Sequence, residues 1–183
     1  NFYLHLPMFS NQHAIEVVFT SLQNGMETEY WLSAVNSLSV EEQTLYFGKA
    51  KPLNQLQFLV GRLLARLLFG GVCPAEHMCS IQTDPFGKPF FAAHPQWGLS
   101  IAHSHKIVAC ALNTSGPVGI DAEAIRPVDF AAFESLFLPQ EWAHIRAQTD
   151  PMQAFFYLWV KKEAIAKADG RGLGMDFLSI NAM

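Results

Sequence analysis

Trp159-Val160-Lys161-Lys162-Glu163-Ala164-Ile165-Ala166-Lys167 reads as the closing part of a helix, and its reading places the rest of the chain. Phe156, Trp159 and Val160 follow the i, i+3, i+4 rule of an apolar stripe, and the stripe runs on to Glu163 and Lys167. A stripe that ends in charge is either a helix running out into water or a site. Glu163 and Lys167 are four apart and share a face. The same spacing is the ordinary helix-stabilising pair, worth about 0.2–0.5 kcal/mol. Upstream, Asp150 caps the helix and Pro151 opens it; downstream, Gly170, Gly172 and Gly174 end it in a flexible turn. Phe177 to Ile180 is expected to resume a sheet.

Working outward, Val118-Gly119-Ile120-Asp121-Ala122-Glu123 predicts a strand. Residues two apart on a strand face the same way, so both carboxylates converge. On an exposed edge they would simply be solvated. The apolar run ahead of them points instead to a buried strand, where unpaired carboxylates are costly. Magnesium suits such a pair, because it takes hard oxygen ligands and accepts others from a substrate phosphate.

Leu99 to Ala102 and Ile107 to Leu112 read as strands flanking His103-Ser104-His105, with Asn113 to Pro117 turning into the next strand. His103 alone fits a hydrogen-bonded structural histidine as readily as a ligand. Ser80 to Thr83 is a short strand, and Asp84-Pro85-Phe86-Gly87-Lys88-Pro89 has turn chemistry that presents Lys88 on a rigid loop. From Leu53 to Phe69 an apolar helix carries only Arg62 and Arg66, on one face, and Gly70-Gly71 ends it. Those arginines either snorkel from a core helix or form a phosphate fork. Ser39 with Glu42 is a capping box opening a helix that fails before Pro52, with Lys49 and Lys51 at the break. Ile15, Val17 and Phe19 alternate with Glu16, Val18 and Thr20 and predict a first strand with that face buried. Asp129 caps a short helix to Leu136, and Pro139 opens another reaching Ala147; both read as packing elements.

Charged residues are 15% and hydrophobic residues 50% of 183, against a usual charged fraction of about 25%. A large core or a sticky interface follows. The net charge of −4 argues against a surface tuned for nucleic acid, so an anion site must be built from a few placed side chains. Cys73, Cys79 and Cys110 are odd in number and lack CxxC spacing, which favours free thiols in a reducing compartment. Asn1 to Ser10 lacks the basic and apolar regions of a secretory leader, and no long uncharged apolar run is present. The expectation is a cytoplasmic protein with no membrane span. No short repeat or long linker is visible, although the element order before and after about residue 115 hints at two similar halves.

The strand motif Gly119-Ile120-Asp121-Ala122-Glu123, followed by Trp159-Val160-Lys161-Lys162-Glu163-Ala164-Ile165-Ala166-Lys167, resembles the paired signature of the 4'-phosphopantetheinyl transferases. Gly87-Lys88-Pro89-Phe90 is similar to that family's Gly-Lys-Pro loop, Ile101-Ala102-His103-Ser104 to its Ser-His-Ser segment, and Val60 to Leu68 to its Arg-bearing helix. The likeness covers most of the chain from Ser39 to Ile180 and looks closest to the longer, monomeric, two-lobed branch of holo-acyl-carrier-protein synthase type.

The resemblance implies an α+β fold of two similar lobes forming a pseudo-dimer, antiparallel sheets packed with helices. Residues 1–115 would be the N-terminal lobe, contacting coenzyme A phosphates, and 116–183 the C-terminal lobe with the metal site. It implies transfer of 4'-phosphopantetheine from coenzyme A to a serine of an apo acyl or peptidyl carrier protein, with release of 3',5'-ADP. Asp121, Glu123 and Glu163 would hold Mg2+, Glu163 would serve as base, and Lys167 would stabilise the leaving group. Arg62, Lys88 and His103 would bind phosphates, helped by Lys49 and Lys51, while Lys161, Lys162 and Arg171 either steer an acidic carrier or form a solvated face.

Four departures stand out. Ala102 replaces the first serine of Ser-His-Ser, His105 a commoner glycine, and Glu41-Glu42 the usual basic residues. The chain also stops where the family's second lobe continues, so a truncated or disordered C-terminal segment is expected. Two other readings share these residues: a homologue that binds carrier or nucleotide without transfer, and a magnesium-dependent phosphohydrolase.

Overall fold

The computed structural model describes residues 2–5, 15–22, 28–73, 79–171 and 174–183. Gly172 therefore lies outside the described residues. The fold is mixed α and β with antiparallel sheets, as expected. Strands β1 (Phe2–His5) and β2 (Ile15–Ser21) lead into helices α1 (Thr28–Asn36), α2 (Val40–Phe47) and α3 (Pro52–Val72). Strands β3 (Ile81–Thr83) to β7 (Asp121–Ala124) follow: β4 is Pro89–Phe91, β5 Gly98–Ser104 and β6 Ile107–Asn113. A 3-10 turn at Phe130–Leu136, helices α4 (Pro139–Ala147) and α5 (Pro151–Asp169), and a 3-10 turn at Phe177–Ser179 complete the order.

The main sheet runs β2-β6-β5, all antiparallel, and α3 covers one face. Val60, Leu64, Leu68 and Phe69 of α3 meet Leu99, Val108, Cys110 and Leu112 there in a closed core. On the opposite face, Ala102, Ala109 and Ala111 pack against Val118, Ile120 and Ala122. A third cluster holds the C-terminal part together: Phe137, Trp142, Phe155 and Phe156, with Phe133 and Trp159 against it. Trp159 stacks on Phe177 at 5.6 Å and meets Phe133 edge-on at 5.4 Å, so the apolar stripe of α5 is spent on ring packing. No helix among the described residues is long and apolar enough to cross a membrane.

Local signals behave as read at several termini. Ser39 and Glu42 form the reciprocal capping box of α2. The Asp150 carboxylate accepts the Gln153 N–H, and Gly170 closes α5 in the left-handed conformation with φ 93°. Asp129 caps the Phe130–Leu136 segment, which is 3-10 rather than α.

Several expectations are corrected. Gly70 and Gly71 lie within α3, which continues to Val72, because neither takes the positive φ with which a glycine ends a helix. Phe19 is exposed while Val18 faces the α3 core, since β2 is an edge strand and Phe19 lies beyond the small cluster that receives Ile15 and Val17. Strand β1 was not foreseen; it pairs antiparallel with β7, Tyr3 opposite Glu123 and His5 opposite Asp121.

The expected strand Val118–Glu123 is only Asp121–Ala124. Its approach is stitched to β5 by hydroxyls: Ser100 Oγ accepts the Ile120 N–H at 3.1 Å and Ser104 Oγ the Ala124 N–H at 3.0 Å. Phe177 to Ile180 is not a strand. Asp176 caps Leu178, and the freed carbonyls of Phe177 and Ile180 accept from the Lys162 ammonium instead of from a neighbouring strand.

Gly119 is where the strand segment touches α5. A Cβ there would lie 1.8 Å from the Ala164 carbonyl oxygen and 2.5 Å from the Ala168 nitrogen, both backbone atoms that cannot step aside. Gly119→Ala is therefore expected to cost about 3 kcal/mol, measured as a lower urea midpoint. A change below about 0.5 kcal/mol would contradict this contact.

Candidate active site

Two elements bring the acidic and basic groups together. Close packing through Gly119 sets β7 against the exit of α5, so Asp121 faces Lys167 with Nζ 2.6 Å from Oδ1. Asp121 is buried, and its Oδ2 has no hydrogen-bond partner among the described residues. Glu123 accepts from Ser104 Oγ at 3.0 Å and lies 3.9 Å from the exposed Arg126. Burial pushes the Glu163 carboxyl above the ordinary carboxylate range. The neighbouring Asp121 and Glu123 charges add to that, and Lys167 opposes it. The three carboxylates thus share one electrostatic neighbourhood. Among the described residues, however, no three such side chains are gathered closely enough to hold a metal ion as they stand.

A cavity of about 430 Å³ is lined by Lys49, Gln57, Phe58, Arg62, Thr83 and His103 among others. It adjoins a smaller one of about 150 Å³, where Lys88, Ile101, Lys167 and Gly170 meet, the two sharing Gly87, Pro89 and Ile101. The trough therefore leads from Lys49, Arg62 and His103 toward Lys167 and Asp121. A separate cleft of about 380 Å³ on the other side of Lys88 is walled by Asp84 and Asp169, which do not suit a polyphosphate.

The cations differ in how free they are. Arg62 is buried, 3.5 Å from Glu42, 3.3 Å from Thr83 Oγ1 and 5.0 Å over the Phe58 ring. Burial and the Glu42 charge make it neither a surface snorkel nor a fully free fork, although its Nε and Nη1 find no hydrogen-bond acceptor among the described residues. Arg66 pairs with the same Glu42. Glu42 is thus an internal counter-charge rather than a gap in a nucleotide grip.

Lys88 gives its ammonium to the Ala168 carbonyl at 2.7 Å, capping α5, and burial lowers its pKa against the pull of Asp84 and Asp169. His103 opens onto the trough; burial of part of its ring, followed by the Lys167 charge, holds its imidazole below the usual value. Lys49 lines the cavity and sits 5.6 Å over Phe58. Lys51, exposed at the α3 N-cap, is not brought to the cavity lining, because the turn into Pro52 directs only one of the two lysines inward.

Lys162 departs most from expectation. It neither steers a partner nor joins a solvated face, being wholly buried and paired with Glu141 at 2.9 Å. Lys161 donates to the Ala182 carbonyl at 2.7 Å, and exposed Arg171 pairs with Asp169. His105 adopts φ 48°, which accounts for a glycine being commoner there.

No role for Gln57, Thr83 or Ser100 is legible in the sequence, and Ser104, though part of the His103 segment, turns out to serve Glu123 and β7. Gln57 is buried and donates to the His105 carbonyl at 2.8 Å, fixing the β5–β6 turn beside the cavity. Its signal was the one that marked Arg62, a polar side chain inside the apolar run of α3.

None of the three cysteines forms a disulfide. Cys110 lies on β6 beneath α3, and burial pushes its thiol up to about 12. The native state therefore keeps a proton that the unfolded chain gives up from about pH 9, so this group's contribution to stability is present below pH 9 and fades toward 12. At pH 9 Cys110 is expected to resist iodoacetamide while Cys73 and Cys79, both partly exposed, react; peptide mass mapping checks it. Equal labelling of all three would refute the burial of Cys110.

Residues 117–183 match the family model for the 4'-phosphopantetheinyl transferase superfamily. The chain is 30% identical over 174 residues to the 4'-phosphopantetheinyl transferase gsp of Aneurinibacillus migulanus, covering 92% of this chain and 70% of that protein. It is 32% identical over 154 residues to a 4'-phosphopantetheinyl transferase of Bacillus subtilis, covering 81% of this chain and 66% of that protein. It is 33% identical over 132 residues to the 4'-phosphopantetheinyl transferase HetI of a Nostoc species, covering 67% and 55%. The chain thus spans between about half and seven-tenths of these relatives' lengths. By the extent of the first of these matches, the chain belongs to the 4'-phosphopantetheinyl transferase family.

Proposed function

We propose that this protein transfers 4'-phosphopantetheine from coenzyme A to a serine of an apo acyl or peptidyl carrier protein, releasing 3',5'-ADP. The observation that carries the reading is the meeting of Asp121 with Lys167, beside Glu123 and Glu163, at the inner end of a trough lined by Lys49, Arg62 and His103. Residues 1–115 and 116–183 would be the two lobes of a pseudo-dimer, with the trough contributed largely by the first and the acidic cluster by the second.

Asp121, Glu123 and Glu163 would hold a magnesium ion. The fit rests on the buried, unpartnered Asp121 Oδ2 and on a donor set of hard carboxylate oxygens. When bound, the ion neutralises charge on the coenzyme A pyrophosphate. The residues themselves do the rest. Lys49, His103 and the unsatisfied guanidinium of Arg62 hold phosphate oxygens along the trough. Glu163 accepts the proton of the carrier serine as its oxygen attacks the β-phosphorus. The bond from that phosphorus to the bridging oxygen breaks, and Lys167 stabilises the negative charge arriving on the departing 3',5'-ADP. Such a transfer needs positioning and charge stabilisation more than a covalent intermediate.

The test is mass spectrometry of a panel of apo acyl and peptidyl carriers incubated with the protein, coenzyme A and magnesium. Each true substrate is expected to gain one phosphopantetheine. Carrier binding without modification under any divalent metal would favour a binding homologue. Free phosphate released from nucleotide without carrier would favour a phosphohydrolase.

A further inference from the structure

We infer that the Lys167 ammonium is a resident counter-ion at Asp121, which a divalent cation must displace on entering the acidic cluster. The inference rests on the metal-site reading above and adds to it an order of events. Asp121 is 5% exposed, and a carboxylate that deep requires a compensating charge. Lys167 supplies it at 2.6 Å on Oδ1, while Oδ2 has no partner among the described residues. An ammonium and a metal ion both bound to one carboxylate would stand only a few ångströms apart, a repulsive arrangement in a half-buried site.

The two partners are unequally able to yield. Asp121 is fixed by the pairing of β7 with β1 and by the packing of its neighbours Ile120 and Ala122. The Lys167 side chain is 31% exposed on a flexible four-carbon stem. It also borders the small cavity shared with Lys88, Ile101 and Gly170, which gives the ammonium somewhere to go. Glu123 is likewise occupied, by Ser104 and Arg126. This self-neutralised state explains why no three carboxylates are gathered for a metal among the described residues. Displacement moves the Lys167 charge toward the phosphate end of the trough, so loading the metal and delivering the leaving-group cation become one event. In equilibrium terms, the ion pair weakens metal affinity in proportion to how small a fraction of the protein has the pair open.

The test is calorimetric titration of Mg2+ into the full chain without coenzyme A, together with ammonium-detected nitrogen NMR of the same samples. Lys167→Met is expected to bind Mg2+ about tenfold more tightly than the parent. Arg126→Gln removes a similar charge 3.9 Å from Glu123 without touching Asp121, and it is expected to change affinity less than about fivefold. In the unsubstituted protein a slowly exchanging lysine ammonium signal, absent from Lys167→Met, should disappear or shift as Mg2+ saturates. Equal affinity in Lys167→Met and the parent, an equal gain in Arg126→Gln, or an unmoved ammonium signal overturns the inference. Absence of Mg2+ uptake by both the parent and Lys167→Met overturns the metal-site reading and this inference with it.

Discussion

Replacing Lys162 by methionine is expected to lower stability by about 3–5 kcal/mol, a large part of what a domain of this size possesses. The side chain is wholly buried, with its ammonium 2.9 Å from Glu141 Oε2 and 2.8 and 2.6 Å from the carbonyl oxygens of Phe177 and Ile180. Glu141 in turn accepts the Leu138 and Ala182 backbone N–H groups, each at 2.8 Å. One ion pair therefore fastens the start of α4, the middle of α5 and the returning chain into a single body. Methionine fills similar volume but leaves a buried carboxylate without a counter-charge, removes the ammonium donor from the Ile180 carbonyl, and leaves the Phe177 carbonyl with only the Ile180 N–H at 3.3 Å. Truncating both partners does not restore the fold, because the two N–H groups are then orphaned as well. Urea unfolding followed by tryptophan fluorescence measures the loss. A shift under about 1 kcal/mol would show that the pair is not closed from water as described.

Asp121→Asn is expected to lower carrier modification about a thousandfold while leaving the far-ultraviolet spectrum unchanged. Asparagine keeps the shape and can still sit on β7, but it removes the charge that both Lys167 and the proposed metal require. Losing one such placed group costs about 10²–10³ in kcat when the chemistry depends on charge stabilisation. Glu163→Gln should fall in the same range, since it removes a ligand and the proposed proton acceptor together. Lys167→Met should lose about a hundredfold, mostly in kcat, because it acts on the leaving group rather than on binding. Initial rates of holo-carrier formation, read by mass spectrometry, provide the comparison. Unimpaired transfer by Asp121→Asn would move the site elsewhere in the molecule.

Much of the site was legible because its signals are local. The four-residue spacing of Glu163 and Lys167 and the two-residue spacing of Asp121 and Glu123 follow from helical and strand periods. Asp150, Pro151 and Gly170 bound α5 through contacts within a few residues of themselves. The shared face of Arg62 and Arg66 was equally plain, and the structure adds what they face: Glu42, from a helix that precedes them. Glu42 caps α2 as its spacing from Ser39 predicts, while its pairing with Arg62 and Arg66 depends on neighbours that spacing does not reveal.

What the sequence determined by itself was the type and limits of the strongly capped elements, the family motifs, and which side chains can share a face. Tertiary structure alone decided which of those side chains are free. Lys162 looked like one more lysine on an exposed face, and only its meeting with Glu141, Phe177 and Ile180 makes it internal. The same meeting supplies an ammonium donor to the Phe177 and Ile180 carbonyls, so a segment with strand-like composition forms a 3-10 turn instead. Phe19 keeps the face of Ile15 and Val17 but is exposed there, while Val18 packs on the α3 side, because burial on an edge strand depends on what lies opposite. Capping and periodicity act across a few bonds and are written in neighbouring residues. Counter-charges and backbone partners for buried groups come from distant parts of the chain, and only the folded arrangement brings them within hydrogen-bonding distance.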